Sequence, residues 1–285
     1  ASRVAVAPSG TQFWLAAGTY KPTTTTDRTV SFSLSTGVSI YGGFSGSEIL
    51  LDQRSPNQNA TVLSGDIGIE GFSQDNSQHV ISLYNTSGSI TIDGLTITDG
   101  HRISYDYSSS GAGLYADLTN VHLKLSVSNC YSVNGTVNSL IEDCIFYKNS
   151  SSGIAGAIEY TNISESSSLT IKRCKFFNNS AFYWAGAIST NSCKIENTMF
   201  VNNSVTSPVF PYMTGGGGAI SGIRSRADFT NCTFTNNSAL YGGAIYSYPN
   251  NNKTKLYFTY CTFTKNNASI SGGVFNNARN PESSP

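Results

Sequence analysis

Charge is scarce in this chain: only 12% of its 285 residues are Asp, Glu, Lys or Arg, with 17 acidic and 17 basic. Such a balance gives no electrostatic basis for a nucleic-acid or anionic-membrane partner. Methionine is nearly absent, at 2, and the chain opens at Ala1, which points to a removed leader. No apolar run approaches the length of a membrane-spanning helix. The 6 cysteines and 3 histidines form no metal motif: no Cys-x-x-Cys occurs, and His79, His101 and His122 stand away from the cysteines in sequence. No cofactor is expected. Polarity comes mostly from Ser, Thr, Asn and Gly, which suit turns and strand faces and are poor helix formers.

What the chain has in abundance is a repeat. Its column reads apolar, x, apolar, x, x, Cys, x, Phe, x, x, Asn. Copies are Leu169, Ile171, Cys174, Phe176, Asn179; Ala227, Phe229, Cys232, Phe234, Asn237; Leu256, Phe258, Cys261, Phe263, Asn266; and, in part, Ile141, Cys144, Phe146, Asn149. At Phe200 and Asn203 the copy has Thr198 in place of Cys, and Cys193 stands in the position of Leu169. A second signature returns about ten residues after each column: Ala-Gly-Ala-Ile (155–158, 185–188), Gly-Gly-Ala-Ile (217–220, 242–245) and Gly-Gly-Val-Phe (272–275). Alternate residues share a strand face, so the three-residue steps from Ile171 to Cys174 and from Phe176 to Asn179 mark bends that keep the apolar side inward. Strand, bend, strand, bend, then Gly-Gly-Ala-Ile as a third strand predicts one coil of a solenoid. An earlier coil, Ile90, Ile92, Leu95, Ile97, Gly100, fits without Cys or Asn. Cys130 fits no coil at this spacing. The fold expected is all-β: a single right-handed parallel β-helix over 1–275, with irregular coils over 1–89, regular coils over 90–275 and a tail at 276–285.

The repeated side chains predict internal ladders: Cys144, Cys174, Cys232 and Cys261; Phe146, Phe176, Phe200, Phe234 and Phe263; Asn149, Asn179, Asn203, Asn237 and Asn266. Free cysteine packs as a small hydrophobe. Buried Asn amides satisfy backbone groups at the bends.

Phe-x-x-Asn alternating with Gly-Gly-Ala-Ile resembles the repeat of chlamydial polymorphic outer-membrane proteins and, more broadly, of right-handed parallel β-helix repeat proteins. The resemblance covers about residues 90–285. Phe13–Pro22 and Gly37–Glu48 look like the opening coils of secreted proteins of this kind. It implies surface exposure and adhesive or structural roles.

Sequons mark glycosylation candidates at Asn59, Asn85, Asn134, Asn162, Asn178, Asn202, Asn231, Asn236, Asn252 and Asn267. Asn149 also heads a sequon but occupies the ladder, so it is expected to be buried. Asn178, Asn202 and Asn236 precede ladder positions by one and are expected to face outward. Aromatic loop residues Tyr105, Tyr107, Tyr183, Trp184, Phe210 and Tyr212 are candidates for binding sugar or protein. The other reading of such loops is that they fold over the coil.

The expected function is an extracellular structural glycoprotein, a subunit of a filament or surface layer with adhesive contacts. Its partner would be itself, end to end, or other surface proteins and glycans. No amphipathic segment stands at 1–20, and Gly-Gly-Val-Phe runs almost directly into Asn-Pro-Glu-Ser-Ser-Pro, so both ends offer strand edges. The alternative is a carbohydrate-binding or polysaccharide-cleaving β-helix. Its candidates are Asp93, Asp99, His101, Arg102, Asp106 and Asp117, though no adjacent coil repeats a carboxylate at the matching position.

Overall fold

The computed structural model describes residues 6–35, 37–86, 90–101, 114–118, 121–128, 133–134, 139–151, 153–160, 169–206, 216–247 and 254–277. For those within 83–90 and 102–139, and for 277, only the backbone course is described. Strands from successive coils pair in parallel throughout, as a parallel β-helix requires.

One column of paired positions shows the stacking. Phe13 pairs with Ile40, Ile40 with Ile92, and the position continues through Leu123, Ile141, Ile171, Ile195, Phe229 and Phe258. A second runs Tyr20, Leu63, Ile97, Val127, Phe146, Phe176, Phe200, Phe234, Phe263. Both lie in a 16-stranded sheet that folds around a bend. The irregular segment before residue 90 therefore shares this sheet with the regular coils. A coil the repeat does not betray, Val121–Ser128, sits between the Ile90 coil and the Ile141 coil. Two further sheets, 5-stranded and 9-stranded, close the cross-section.

The regular coil carries four strands rather than the three expected. In one turn these are Leu169–Lys172, Lys175–Phe177, Ser180–Ala181 and Ile188–Thr190. Gly-Gly-Ala-Ile is not itself a strand: the strand begins at its Ile, as at Ile188 and Ile245, and the residues before it form the neck leading in. The neck explains the glycines. A Cβ on Gly156, Gly186, Gly218 or Gly243 would collide with the carbonyl oxygen of Gly186, Gly218, Gly243 or Gly273 on the next coil. The backbones of successive coils approach closely there, ahead of the strand rather than within it.

The bends themselves are left-handed residues. Asp143, Arg173, Asn197, Asn231 and Tyr260 have φ of 51–54°, and Lys148, Asn178, Asn202, Asn236 and Lys265, five residues on, have φ of 53–55°. Such a conformation costs an ordinary L-residue about 1–2 kcal/mol, less for Asn and Asp. Hydrogen bonds to the neighbouring coil offset the cost: Arg173 N donates to Glu196 O, Asn178 N to Val201 O and Asn202 N to Thr235 O, each at 3.0 Å. The apolar core runs continuously inside, from Phe32 and Ile40 to Phe234 and Ile245.

Candidate functional site: ladders and corner columns

Inside the coils, the phenylalanines form one stack. Ring centroids of Phe146, Phe176, Phe200, Phe234 and Phe263 follow at 4.6, 4.9, 4.8 and 4.8 Å, with planes within 8° of parallel. Each spacing follows the distance between paired strands, roughly 4.8 Å. The stacked rings then add about 0.5–1.5 kcal/mol per pair beyond their burial. Phe229 and Phe258 begin a second stack at 5.0 Å.

Beside the rings runs the asparagine ladder. Nδ2 of Asn149, Asn179, Asn203 and Asn237 donates to Oδ1 of the next asparagine at 2.8, 2.9, 3.0 and 2.9 Å. The same Oδ1 accepts the backbone N–H of the preceding asparagine. From Asn179 onward, Nδ2 also donates back to the carbonyl of Phe146, Phe176, Phe200 or Phe234. Asn149, Asn179, Asn203 and Asn237 are fully buried, so these bonds answer desolvated groups that would otherwise each cost about 1–3 kcal/mol.

The cysteines are packing residues with a weak hydrogen bond. Sγ of Cys144, Cys174, Cys232 and Cys261 each donates to the carbonyl two residues earlier, at 3.1–3.5 Å. Thr198 makes the same contact through its hydroxyl, to Glu196 O at 2.9 Å, which is why threonine substitutes there. Cys193 stands opposite Leu169, in the other column. All five described cysteines are free thiols. Burial pushes the Cys232 thiol up to about 12 and raises that of Cys193 further still, which makes both poor nucleophiles. Cys130 lies outside the described residues.

The outer corner positions carry the sequons. Asn178, Asn202 and Asn236 form one exposed column, and Asn231 and Asn267 are exposed too. Asn231 Nδ2 donates to Asn197 Oδ1 at 2.8 Å, and Asn59, half-buried, donates Nδ2 to Gly43 O at 3.2 Å. The side chains of Asn85 and Asn134, and Asn162 and Asn252 altogether, lie outside the described residues. So do Tyr105, Tyr107, Phe210 and Tyr212. Tyr183 and Trp184 are half-buried, and the Tyr183 ring meets Phe182 edge-on at 4.8 Å.

Several of the described carboxylates are held in ion pairs, and Asp99 accepts the Ser64 hydroxyl at 3.1 Å. Asp93 is gripped by Arg54 through both nitrogens, at 3.2 and 2.7 Å, and Arg54 also donates to Gly42 O and lies over Tyr41. Glu142 and Asp143 pair with Arg173, Glu196 with Lys194, and Asp228 with Arg226. Arg102, Asp106 and the side chain of Asp117 lie outside the described residues. The described residues contain no group of three His, Cys, Asp or Glu placed to hold a metal. Sequence reasoning missed Arg54, because its partner lies 39 residues away in another coil.

Residues 231–248 match the family model of the Chlamydia polymorphic membrane protein (Chlamydia_PMP) repeat. The matched stretch runs through Cys232, Phe234, Asn237 and Gly-Gly-Ala-Ile, so it spans the rungs and the neck of one coil. Comparison with curated proteins and with solved structures returns no match. No helix among the described residues is long and apolar enough to cross a membrane.

Proposed function

We propose that this chain is an extracellular structural protein, a stiff rod at a cell surface. The observation that carries the reading is the pair of internal ladders. Rings and amides contact their counterparts from Phe146 and Asn149 through Phe263 and Asn266, so bending between coils would break a stack and a hydrogen-bonded rung together. The repeat named for polymorphic membrane proteins favours a surface location. A glycoside hydrolase needs two available carboxyl groups flanking its substrate, and the engagement of Glu142, Asp143, Glu196 and Asp228 with arginine and lysine favours a scaffold instead.

Three finer readings belong to the same proposal. N-linked glycans sit at the exposed corner asparagines, with Asn178, Asn202 and Asn236 forming one sugar-bearing edge. Copies associate end to end through strand edges, as a solenoid built of parallel strands can. Half-buried Tyr183 and Trp184 supply adhesive contact. Electron microscopy with a light-scattering concentration series tests the assembly: rods that lengthen with concentration support it, and a monodisperse monomer at high concentration overturns it. Peptide mass mapping of material from a glycosylating host tests the sequons, and unmodified Asn178, Asn202 and Asn236 would remove that part.

A further inference from the structure

Thr198 interrupts the cysteine ladder and divides it into two pairs on neighbouring coils: Cys144 with Cys174, and Cys232 with Cys261. The second pair is held in register from both sides. Phe229 and Thr230 pair with Phe258 and Thr259 before it, and Thr233 and Phe234 with Thr262 and Phe263 after it. Thr262 N donates to Cys232 O at 2.9 Å, which fixes one bend against the other. Paired strands lie about 4.8 Å apart, inside the Cα separation of about 4.4–6.8 Å that a disulfide accepts. The Cβ atoms of a disulfide stand about 3.5–4.5 Å apart, so the two side chains need to lean together by about 1 Å or less. They sit at the bend, between strands, where each follows a left-handed residue, Asn231 or Tyr260.

The two thiols differ in access. Cys232 is 1% exposed, whereas Cys261 is half-buried. Both donate only to carbonyls, Cys232 to Ile195 O and Thr230 O at 3.4 Å and Cys261 to Phe229 O and Thr259 O at 3.5 Å. A thiol is a weak donor, so little is lost when these protons leave. Burial is the main cause of the raised Cys232 pKa, and the facing Cys261 thiol adds to it. Capping Cys261 as a neutral mixed disulfide removes that second contribution and sets an electrophilic sulfur beside Cys232. Cys144 and Cys174 are 0% and 1% exposed, so the folded chain offers neither of them to an oxidant.

We propose that Cys232 and Cys261 form a covalent modification site, which a small-molecule disulfide oxidant closes into a bond stapling two neighbouring coils. The Cys261 thiolate attacks one sulfur of the oxidant, breaks its S–S bond, and releases the first thiolate. Cys232, giving up its proton, then attacks Cys261 Sγ, and the second thiolate leaves. The protein loses two protons and two electrons, and one oxidant disulfide becomes two thiols. The new bond closes the loop of residues 233–260 and ties the coils at the corner, beside the phenylalanine and asparagine ladders. The inference does not rest on the rod reading: it needs only the register of the two coils and an oxidant.

The test treats the folded, reduced whole chain with oxidised glutathione, blocks remaining thiols with iodoacetamide, and maps the peptides by mass spectrometry without reduction. A Cys232–Cys261 cross-link within one chain is expected, while Cys144, Cys174 and Cys193 stay reduced and take the label once the chain is denatured. Oxidation should raise the thermal unfolding midpoint by about 5–10 °C, and dithiothreitol should reverse the gain. Cys261→Ser, shown by circular dichroism to fold, should give neither the cross-link nor the gain. Cys261 stopping at its glutathione adduct, a bond from Cys232 to Cys193, both thiols remaining open to the label, or an oxidised chain that melts no higher would each overturn the proposal.

Discussion

The coils after residue 140 and those before residue 101 share the 16-stranded and 9-stranded sheets but are held by different means. In the later coils a few interactions repeat: phenylalanine on phenylalanine, asparagine on asparagine, a thiol or hydroxyl on the carbonyl two residues back. In the earlier coils aliphatic Ile40, Leu63, Ile92 and Ile97 fill the matching core positions, and each corner is closed by its own contact. Arg54 grips Asp93, Arg28 bridges Asn76 to His101, and Glu48 accepts the amides of Ser45 and Gly46. The difference teaches that a parallel β-helix fixes backbone pairing and inward pattern but leaves open how the corners are satisfied. Repetition ties neighbouring coils through side chains as well as backbone, while the earlier coils close each corner with its own clasp.

Mutations can break this comparison at points of decreasing consequence. Phe200→Ala removes a fully buried ring and two stacking partners, Phe176 and Phe234. It should cost about 3–5 kcal/mol in urea denaturation, more than Leu63→Ala in the earlier coils. Asn203→Ala strands the backbone N–H and Nδ2 of Asn179 and the carbonyl of Phe176. A loss of about 2–5 kcal/mol is predicted, and an aliphatic core that tolerated the change would show that the ladder is dispensable. Gly186→Ala forces the neck away from Gly218 O, with an expected loss of about 1–3 kcal/mol on the same measurement.

The smallest effect concerns pH. Burial raises the Glu159 carboxyl from 4.5 to about 7. Between those values the folded chain holds a proton that the unfolded chain has released, so stability falls as pH rises from about 4.5 to about 7 and is flat above that for this group. Glu159→Gln should flatten its share of that slope when unfolding midpoints are measured across the range; an unchanged slope would place the titration elsewhere.

Much of the fold was legible because identical side chains recur at the same point of the cross-section. Phe-x-x-Asn declared the second bend, and the substitution of Thr198 for cysteine remained readable because the hydroxyl keeps the contact. The coil at Val121–Ser128 was not legible: Leu123, Leu125 and Val127 hold core register positions without any Asn or Phe to mark them. The left-handed corners were hidden for a different reason. Asp143, Arg173, Asn197 and Asn231 share a backbone conformation whose cost is offset by hydrogen bonds between coils, so side-chain identity varies. The short strand Ser180–Ala181 has too few residues to show a period. At the candidate sites, Asn178, Asn202 and Asn236 could be placed outward from their ladder neighbours alone.

The central claim is that the repeated ladders make the later coils one stiff, mutually supporting body. Hydrogen-exchange mass spectrometry comparing the native chain with Asn203→Ala tests it most directly. The account predicts slow exchange from Ile171 through Ile245 in the native chain, and a loss of protection in the variant that spreads to the coils of Asn179 and Asn237 while Ser39–Phe44 and Ile90–Thr98 keep theirs. Protection lost in the Asn203 coil alone, with its neighbours untouched, would contradict it.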